Sequence, residues 1–248
     1  MDHLLEQTYI AERDHFWFKG FRQFITPLLD AALAGVQAPR AIDCGCGTGV
    51  NLAELERRAD AFGFDLTPLG LRYARERAGH RVARASITNI PFRSGTFDLA
   101  TSFDVLVCLD EHGEAQALRE IGRVLKPGGA LVMNLAALEL LRASHSILAE
   151  EVRRYTKPML RRALERAGFR VERLTYSNFS LFPLMLASRT LQRVRGVGRP
   201  EEIEREIAVP SAPVNAALTA VLSLEARAIR HVDMPIGSSI LCLARKAP

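Results

Sequence analysis

The sequence predicts an α/β fold, a doubly wound sheet of seven strands with helices on both faces. Two observations predict it. Short apolar segments alternate with helical segments between residues 38 and 176, the rhythm of strand–helix–strand units in a parallel sheet. A turn rich in glycine follows the first apolar segment, as expected where a strand passes into a helix close to a ligand. Right-handed crossovers then make the doubly wound arrangement the expected topology.

The individual elements follow in order along the chain. Apolar segments predict strands at residues 38–44, 61–64, 82–85, 97–103, 130–135, 169–176 and 238–245. Helical patterns predict helices at residues 51–59, 67–78, 114–124, 157–167, 179–194 and 214–231. We therefore divide the 248 residues into one domain with four parts: an N-terminal helical cap (1–37), a core (38–176), a helical insert (177–237) and a last strand (238–248).

The composition is that of a globular protein and argues against several functional classes. The formal net charge is +5, but the basic residues are spread along the chain without a nucleic-acid motif, so we expect no nucleic-acid partner. Cys44 and Cys46 have no second pair downstream, so we expect free thiols and no metal. No apolar run reaches the ~20 residues of a membrane span. The N-terminus lacks a signal segment, and we expect a cytoplasmic location.

The first strand end and its turn, residues 43–49, predict a nucleoside-type ligand site. Gly45, Gly47 and Gly49 stand where a Cβ would block a close approach of the backbone to a ligand. Asp43 at the strand end can accept a hydrogen bond from that ligand. Val50 occupies the place of the third glycine in the dinucleotide fingerprint G-x-G-x-x-G, which disfavours a nicotinamide cofactor.

A second acid ends the next predicted strand. Asp65 follows Asp43 by 22 residues, the separation at which a carboxylate can hold the ribose hydroxyls of an adenine nucleoside. The alternative is a carboxylate at a helix N-terminus, although Thr67 can serve as that cap. Asp65 supports adenosine binding without choosing the cofactor.

Two later segments give the chain a family resemblance. Residues 90–100, IPFRSGTFDLA, and residues 123–129, RVLKPGG, resemble the "LPF…FD" and "RVLKPGG" segments of the type 11 class I S-adenosylmethionine-dependent methyltransferases. With the turn at residues 43–49 and Asp65 in the same order, the resemblance covers about residues 38–136. It implies a Rossmann-like methyltransferase sheet and S-adenosyl-L-methionine as the cofactor.

The resemblance also implies roles for individual residues. The loop around the methionine part of the cofactor would consist of Gly45, Cys46, Gly47 and Gly49. Asp65 would hold the ribose, and Leu66 would lie against the adenine. Ser86, followed by Ile87, stands where family members often carry an acid for the adenine amino group, and its neutral hydroxyl accepts more weakly. Phe103, at the end of the fourth strand, would line the cofactor or the methyl-transfer face.

The N-terminal segment carries a resemblance of its own. Residues 15–22, HFWFKGFR, resemble the "HWWF.GRR" segment of a type 11 subgroup whose members often accompany glycan and natural-product biosynthesis genes. We interpret it as a helical cap in which Trp17 excludes water from the cofactor and Arg22 pairs with the methionine carboxylate. The alternative is an amphipathic helix that buries its aromatic residues on the sheet.

A segment after the fifth strand supplies the candidates for the substrate side. Residues 144–146, SHS, followed by residues 153–156, RRYT, resemble the "HD…H.RRY" pattern of related sequences, with Ser146 in place of the acid. Ligands of open α/β sheets bind at this carboxyl edge. His145 and Tyr155 are therefore the candidate catalytic groups, and a structural or solvated histidine is the alternative.

The insert is expected to decide the substrate. Its first helical stretch has more apolar residues than one buried face needs: Phe179, Leu181, Phe182, Leu184, Met185 and Leu186. Core packing, a hydrophobic acceptor lid, a dimer face and an interfacial helix with peripheral membrane contact through residues 179–195 are the competing interpretations. The chain is accordingly expected to be a monomer or a homodimer.

Together these patterns predict a methyltransferase that acts on a small-molecule acceptor, a natural product or a sugar, by in-line methyl transfer from S-adenosyl-L-methionine. Alignment and exclusion of water can supply much of such catalysis, so the lack of an obvious base leaves O-, N-, S- and C-methylation open. The alternatives are methylation of a lipid- or polyprenyl-linked glycan at a membrane surface, a non-catalytic cofactor-binding scaffold and a nicotinamide-dependent dehydrogenase.

Overall fold

A computed structural model of the chain describes residues 2–79, 81–142, 146, 150–195 and 208–247. The helices are α1 (Asp2–Ala11), α2 (Phe16–Ala32), α3 (Val50–Glu56), α4 (Pro68–Ala78), α5 (Glu111–Val124), α6 (Lys157–Arg166), α7 (Phe182–Arg195) and α8 (Ala212–Ile229). The strands are β1 (Arg40–Cys44), β2 (Asp60–Asp65), β3 (Val82–Arg84), β4 (Phe97–Phe103), β5 (Leu125–Ala136), β6 (Phe169–Ser177) and β7 (Ser239–Lys246).

The seven strands form one sheet in the order β3-β2-β1-β4-β5-β7-β6, which confirms the predicted fold class. The sheet is mixed, however, because β7 runs antiparallel to both of its neighbours, β5 and β6. The pairing of Ser177 with Ser239 explains the direction of β7. The insert leaves and re-enters the sheet at the same edge, so the chain must run back along β6 instead of crossing over to a parallel strand.

Helices cover both faces of the sheet, and each face has its own apolar core. Neighbouring strand residues point to opposite sides, so Ala41 packs in one core and Ile42 in the other. The first core includes Leu28 of α2, Leu52 of α3, Leu71 of α4 and Leu222 of α8. The second includes Leu118 of α5 and Leu160 of α6. The cap and the insert therefore belong to the same layer of the molecule.

The N-terminal cap consists of two helices that meet at a capped corner. His15 precedes α2 in an extended conformation, and its Nδ1 accepts a hydrogen bond from the backbone N–H of Trp17 at 3.1 Å. Burial lowers the pKa of the His15 imidazole, which keeps Nδ1 available as an acceptor. Helix α2 also packs along α8, where Asn215 accepts from the backbone N–H of Phe16 at 2.8 Å.

The carboxyl ends of β1, β2, β4 and β5 share one edge of the sheet, below α1 and α2. Ligands of open α/β sheets bind at such an edge. Within the described residues, no helix is both long and apolar enough to span a bilayer.

Candidate functional site

The turn after β1 is held by backbone contacts across the strand ends. The N–H groups of Gly45 and Cys46 both donate to the Phe64 carbonyl, each at 2.9 Å. Gly45, Gly47 and Gly49 have φ values of +87°, +49° and +82°, in the left-handed region that favours glycine. A Cβ on Gly49 would lie 2.7 Å from the Ala74 Cα, whereas a Cβ on Gly47 would meet no protein atom within 4 Å. The loop therefore packs on α4 at Gly49 and faces open space at Gly47.

Asp43 is the buried acid beneath this loop. Its Oδ1 accepts from the Thr101 hydroxyl at 2.6 Å, and its Oδ2 has no hydrogen-bond partner among the described residues. Burial raises the pKa of the Asp43 carboxyl to about 7, and the nearby Asp65 charge adds to that rise while the Thr101 hydrogen bond opposes it. An unpartnered buried oxygen suits a ligand donor at this strand end.

Asp65, at the end of β2, organises the same loop. Its Oδ2 accepts from the backbone N–H of Gly47 at 2.8 Å. Its Oδ1 accepts from the backbone N–H and the hydroxyl of Thr67, at 2.8 and 2.6 Å. An ionised carboxylate has about four lone-pair positions, so this arrangement leaves it capacity for a ligand hydroxyl. The structure thus brings Asp65 into direct contact with the glycine loop.

The three residues predicted for the adenine side lie beyond Asp65. Leu66 is 59% exposed, which leaves its side chain open to a flat ligand. The Ser86 hydroxyl lies 2.7 Å from the Thr88 hydroxyl and accepts from the Thr88 backbone N–H at 3.2 Å. Ile87 is buried, and its side chain packs in the core that includes Leu118 and Leu160.

A cavity of about 140 Å³ lies between the cap and the sheet. Trp17, Phe21 and Arg22 of α2 line one side, and Phe103 with the start of α3 lines the other. The rings of Phe21 and Phe103 meet edge to face with their centroids 5.2 Å apart. Arg22 lines the cavity while its Nη1 donates to the Glu12 carbonyl at 3.0 Å. The structure therefore brings three predicted residues, Trp17, Arg22 and Phe103, to one cavity.

Two polar residues on the sheet side of this cavity were missed by the sequence analysis. Asp104 directly follows β4, and Asn134 lies on β5. The Asn134 Nδ2 donates to the Asp104 Oδ2 at 2.8 Å. Crowding by the surrounding protein raises the pKa of the Asp104 carboxyl to about 7, although the side chain keeps contact with solvent. No motif marks either residue, and only the neighbouring strand ends could have signalled them.

Glu12 is a third cavity residue without a sequence signal. Its carboxylate accepts from the Thr48 hydroxyl at 2.7 Å and forms an ion pair with Arg77. Thr48 belongs to the glycine loop and Arg77 to α4. Glu12 therefore ties the N-terminal cap to the loop and to the helix behind it.

The structure describes one of the two predicted catalytic residues, Tyr155. His145 lies outside the described residues. Tyr155 is fully buried, and its hydroxyl donates to the Glu114 Oε2 at 2.6 Å. Burial and the Glu114 charge raise the pKa of the Tyr155 phenol. This placement differs from the predicted substrate-side role, because the apolar core takes the ring and Glu114 takes the hydroxyl.

The four cysteines bear on the predictions of free thiols and of no metal. The structure has all four cysteines as free thiols. Among the residues that the structure describes, no cluster of three histidine, cysteine or acidic side chains suits a metal ion.

Comparison with known proteins agrees with this geometry. The family model described as a methyltransferase domain matches residues 42–133. A demethylmenaquinone methyltransferase from Corynebacterium kroppenstedtii is 35% identical over 122 residues, which are 48% of this chain and 48% of that protein. The chain spans about half the length of the curated relatives it matches.

Solved structures share the fold over most of the chain. A putative methyltransferase in complex with the Trm112 methyltransferase activator of Haloferax volcanii has a TM-score of 0.63 at 17% identity, covering 100% of this chain and 96% of that chain. An S-adenosylmethionine-dependent methyltransferase from Mesorhizobium loti has a TM-score of 0.56 at 19% identity, covering 90% and 97%. At these identities the likeness shows the fold.

Proposed function

We propose that residues 42–133, which match a methyltransferase-domain model, form a class I S-adenosylmethionine-dependent methyltransferase domain, and that the whole protein methylates a small-molecule acceptor. The cofactor would lie along the carboxyl edge of the sheet, and the acceptor would enter the cavity below α2. Acceptors of the natural-product or sugar type fit this proposal, as does the quinone named for the Corynebacterium relative.

The observation that carries the proposal is the fit of the loop to an adenosine-type cofactor. Gly47 faces open space, Asp43 keeps a buried oxygen without a partner in the described chain, and Asp65 touches the loop. A loop that lacks a Cβ at every second residue and lies next to two acids suits a ligand that carries hydroxyl and ammonium donors. When bound, S-adenosyl-L-methionine supplies an electrophilic methyl group on a sulfonium.

The residues of the chain would act mainly by binding, orientation and exclusion of water. Arg22 lines the cavity, and its guanidinium suits the methionine carboxylate. Trp17 and Phe21 on the cap and Phe103 on the sheet enclose the space between cofactor and acceptor. In-line transfer needs the reacting atoms at about 3–3.5 Å and in line, which such an enclosure favours.

A lipid-linked acceptor at a membrane surface is the second candidate, and one observation favours it. Leu184 and Leu191 on α7 are 64% and 47% exposed. They lie seven residues apart, which puts them on the same helix face. Phe179, just before α7, is 42% exposed. These side chains suit peripheral membrane contact through residues 179–195.

Turnover with candidate acceptors tests the proposed function. Purified full-length protein is incubated with S-adenosyl-L-methionine and a panel of phenols, quinols, sugars and amines, and release of S-adenosylhomocysteine is measured. We expect acceptor-dependent release with at least one class. The scaffold alternative predicts cofactor binding with no release above the acceptor-free control.

A further inference from the structure

The sheet side of the cavity carries a polar pair that the proposed function does not use. Asp104 directly follows β4, Asn134 lies on the neighbouring strand β5, and both line the cavity. Their backbones are joined as well, since the Asp104 N–H donates to the Asn134 carbonyl at 2.9 Å. The two side chains therefore have fixed positions relative to each other.

The backbone at Asp104 adopts an unusual conformation. Its φ is +58°, in the left-handed region that residues with a side chain rarely occupy. Such conformations persist where the surrounding structure enforces them, and they concentrate at functional sites. Here the turn directs the chain from the end of β4 into the short 3-10 helix Leu106–Cys108 and leaves the Asp104 carboxylate against Asn134.

Asn134 adds an acceptor that nothing in the described chain satisfies. The residue is 4% exposed, and its Nδ2 is used by Asp104. Its Oδ1 is buried and has no hydrogen-bond partner among the described residues. Buried polar atoms are nearly always paired, so a lone acceptor on a cavity wall points to a ligand donor.

Aromatic side chains form one part of the remaining lining, which also includes the polar residues Glu12, Arg22, Asn51, Asn178 and Ser239. Trp17, Phe18 and Phe21 come from the cap, and Phe103 directly precedes Asp104. Aromatic walls favour a flat ring that can stack or meet them edge to face. The Asp104 carboxylate and the Asn134 Oδ1 are two acceptors on the sheet side of the cavity, and they favour hydrogen-bond donors on one side of that ring.

We propose that Asp104 is the general base for O-methylation of an aromatic acceptor with two adjacent hydroxyls, one on Asp104 and the second on the Asn134 Oδ1. The inference rests on the proposed function and names its acceptor class and base. Asp104 takes the proton of the first hydroxyl. The freed lone pair on that oxygen forms the new O–CH₃ bond, and the electron pair of the broken S–CH₃ bond stays on sulfur, which becomes a neutral thioether.

The charges around Asp104 suit a base that works near neutral pH. Desolvation, with a smaller contribution from the Glu151 charge, raises the pKa of its carboxyl to about 7, while the Asn134 hydrogen bond and Arg154 oppose the rise. The Cys108 thiol lies next to it, and Glu12 and Arg22 line the same cavity. A base with a pKa near the operating pH combines correct protonation with driving force for proton transfer.

Asp104→Asn tests the base without changing the shape of the pair, because its amide oxygen can still accept from the Asn134 Nδ2. The probes are catechol, phenol and 4-nitrocatechol, whose first hydroxyl is ionised at neutral pH. We expect catechol turnover to fall about 100-fold or more and 4-nitrocatechol turnover to fall far less, because ionised acceptor needs no base. The affinity for S-adenosylhomocysteine, measured by calorimetry, should stay within about twofold.

A readout without turnover uses Trp17, the single tryptophan of the chain. Quenching of its fluorescence by 4-nitrocatechol, with S-adenosylhomocysteine present, reports occupancy of the cavity. Ionised Asp104 repels the nitrocatecholate, so wild-type affinity should fall as the pH rises from 6 through about 7 to 8. The ionisation of the probe itself is common to both proteins, so the affinity of Asp104→Asn should fall less than that of wild type over the same pH range. Asn134→Ala should weaken catechol more than phenol.

Three outcomes would overturn the inference. Equal losses for catechol and 4-nitrocatechol in Asp104→Asn would make the residue structural. An unchanged pH dependence of quenching would remove it as the charged group in the cavity. Wild type that binds S-adenosylhomocysteine but methylates only amines or sugars would refute the acceptor class and leave the proposed function intact. Absence of S-adenosylhomocysteine binding would refute the proposed function itself.

Discussion

At the scale of single residues, Asp65 combines two tasks in one carboxylate. It accepts hydrogen bonds from Gly47 and Thr67, and these contacts hold the glycine loop against the end of β2. In the proposed function it also accepts a ribose hydroxyl. The glycine loop and the cofactor would then share the Asp65 carboxylate as an acceptor, so the cofactor would bind to a preorganised site.

Replacement of Asp65 by alanine should weaken cofactor binding. The variant loses the ribose acceptor and the support of Gly47, and we expect a loss of about 1–3 kcal/mol in the binding free energy of S-adenosylhomocysteine. Isothermal titration calorimetry at fixed pH and salt measures the change.

Asp60→Ala is the matched control for this experiment. Asp60 begins the strand that Asp65 ends, and it lies at the opposite edge in exposed ion pairs with Arg40 and Arg81. Its removal should leave the affinity unchanged, since exposed pairs contribute little. Equal losses in the two variants would trace the Asp65 effect to general destabilisation.

Asp43 predicts a pH dependence of stability. Its pKa is about 7 in the folded protein, against about 3.9 in an unfolded chain. Between about pH 4 and pH 7 the carboxyl of Asp43 is therefore protonated in the folded state and ionised in the unfolded state. The free energy of unfolding should fall as the pH rises through this range.

Asp43→Asn should remove this dependence. The variant should gain stability relative to wild type between pH 4.5 and pH 7.5, because the neutral amide carries no buried charge. The gain in the free energy of unfolding has an upper limit of about 1.4 kcal/mol per unit of difference between the folded and unfolded pKa values. Denaturant unfolding at both pH values measures it, with Asp104→Asn run in parallel because that carboxyl shifts in the same direction. A difference between Asp43→Asn and wild type that is equal at both pH values contradicts the assignment.

The sequence predicts some of these residues and not others for a physical reason. Asp43 and Asp65 end apolar strands next to a glycine turn, so their positions along the chain already place them at the carboxyl edge. Asn134 lies inside an apolar strand, and its role depends on its alignment with Asp104 across β4 and β5. Glu12 acts through Thr48, 36 residues away, a contact that only the packed structure creates.

At the scale of elements, α1 is attached to the core by a small set of polar and aromatic contacts. Glu12 follows α1 directly and reaches Arg77 of α4. Tyr9 stacks on Tyr73 with the ring centroids 4.0 Å apart, and the Arg77 guanidinium lies over the Tyr9 ring. These contacts close the cap over the glycine loop.

Glu12→Gln should loosen α1 without unfolding the sheet. The substitution leaves Arg77 without its buried counter-charge, which commonly costs about 3–5 kcal/mol where the group cannot move to water. Local opening of α1 limits that cost, and hydrogen exchange should show faster amide exchange in α1 with the central strands unchanged.

Glu6→Gln provides the comparison for this variant, because Glu6 is an exposed acid on the same helix. It should leave the exchange of α1 unchanged. Faster exchange in the central strands of Glu12→Gln would show that the ion pair supports the whole fold instead of the cap.

Helix α7 is the element that tests the membrane alternative. Leu184→Glu combined with Leu191→Glu should abolish flotation with anionic liposomes, because the two exposed leucines supply the apolar face. Leu224→Glu on α8, where Leu224 is 63% exposed, is the control and should float like wild type. A wild-type protein that does not float with lipid removes this candidate.

The sequence predicts the bounds of a strand better than its direction or the packing between distant elements. Strand β4 matches its predicted bounds, Phe97–Phe103, because a short, largely buried segment that follows turn residues is a local pattern. The direction of β7 is not local, since it depends on where the insert returns to the sheet. The packing of α2 along α8 joins parts of the chain about 200 residues apart.

At the scale of the whole molecule, the two edges of the sheet have different tasks. The segments that carried the family resemblance stabilise the amino edge: Asp98 accepts from Lys126 at 2.8 Å and from the Arg40 backbone N–H at 2.9 Å. The carboxyl edge holds the glycine loop, Asp43, Asp65 and the cavity. The resemblance therefore identified the fold largely through residues that do not line the cavity.

The same division explains how far the sequence predicts function. In the proposed function, binding of the methyl donor would depend on the glycine loop and strand ends, which have recognisable spacing. Recognition of the acceptor would depend on side chains that the cap, the sheet and the insert bring to one cavity. Ordinary residues such as Asp104 gain a role there only through their neighbours.

Calorimetric titration of the purified full-length protein with S-adenosylhomocysteine and, separately, with NAD tests the central claim most directly. We expect saturable binding of one S-adenosylhomocysteine per chain and no binding of NAD, because the glycine loop lacks the third fingerprint glycine. Saturable binding of NAD with no binding of S-adenosylhomocysteine would contradict it.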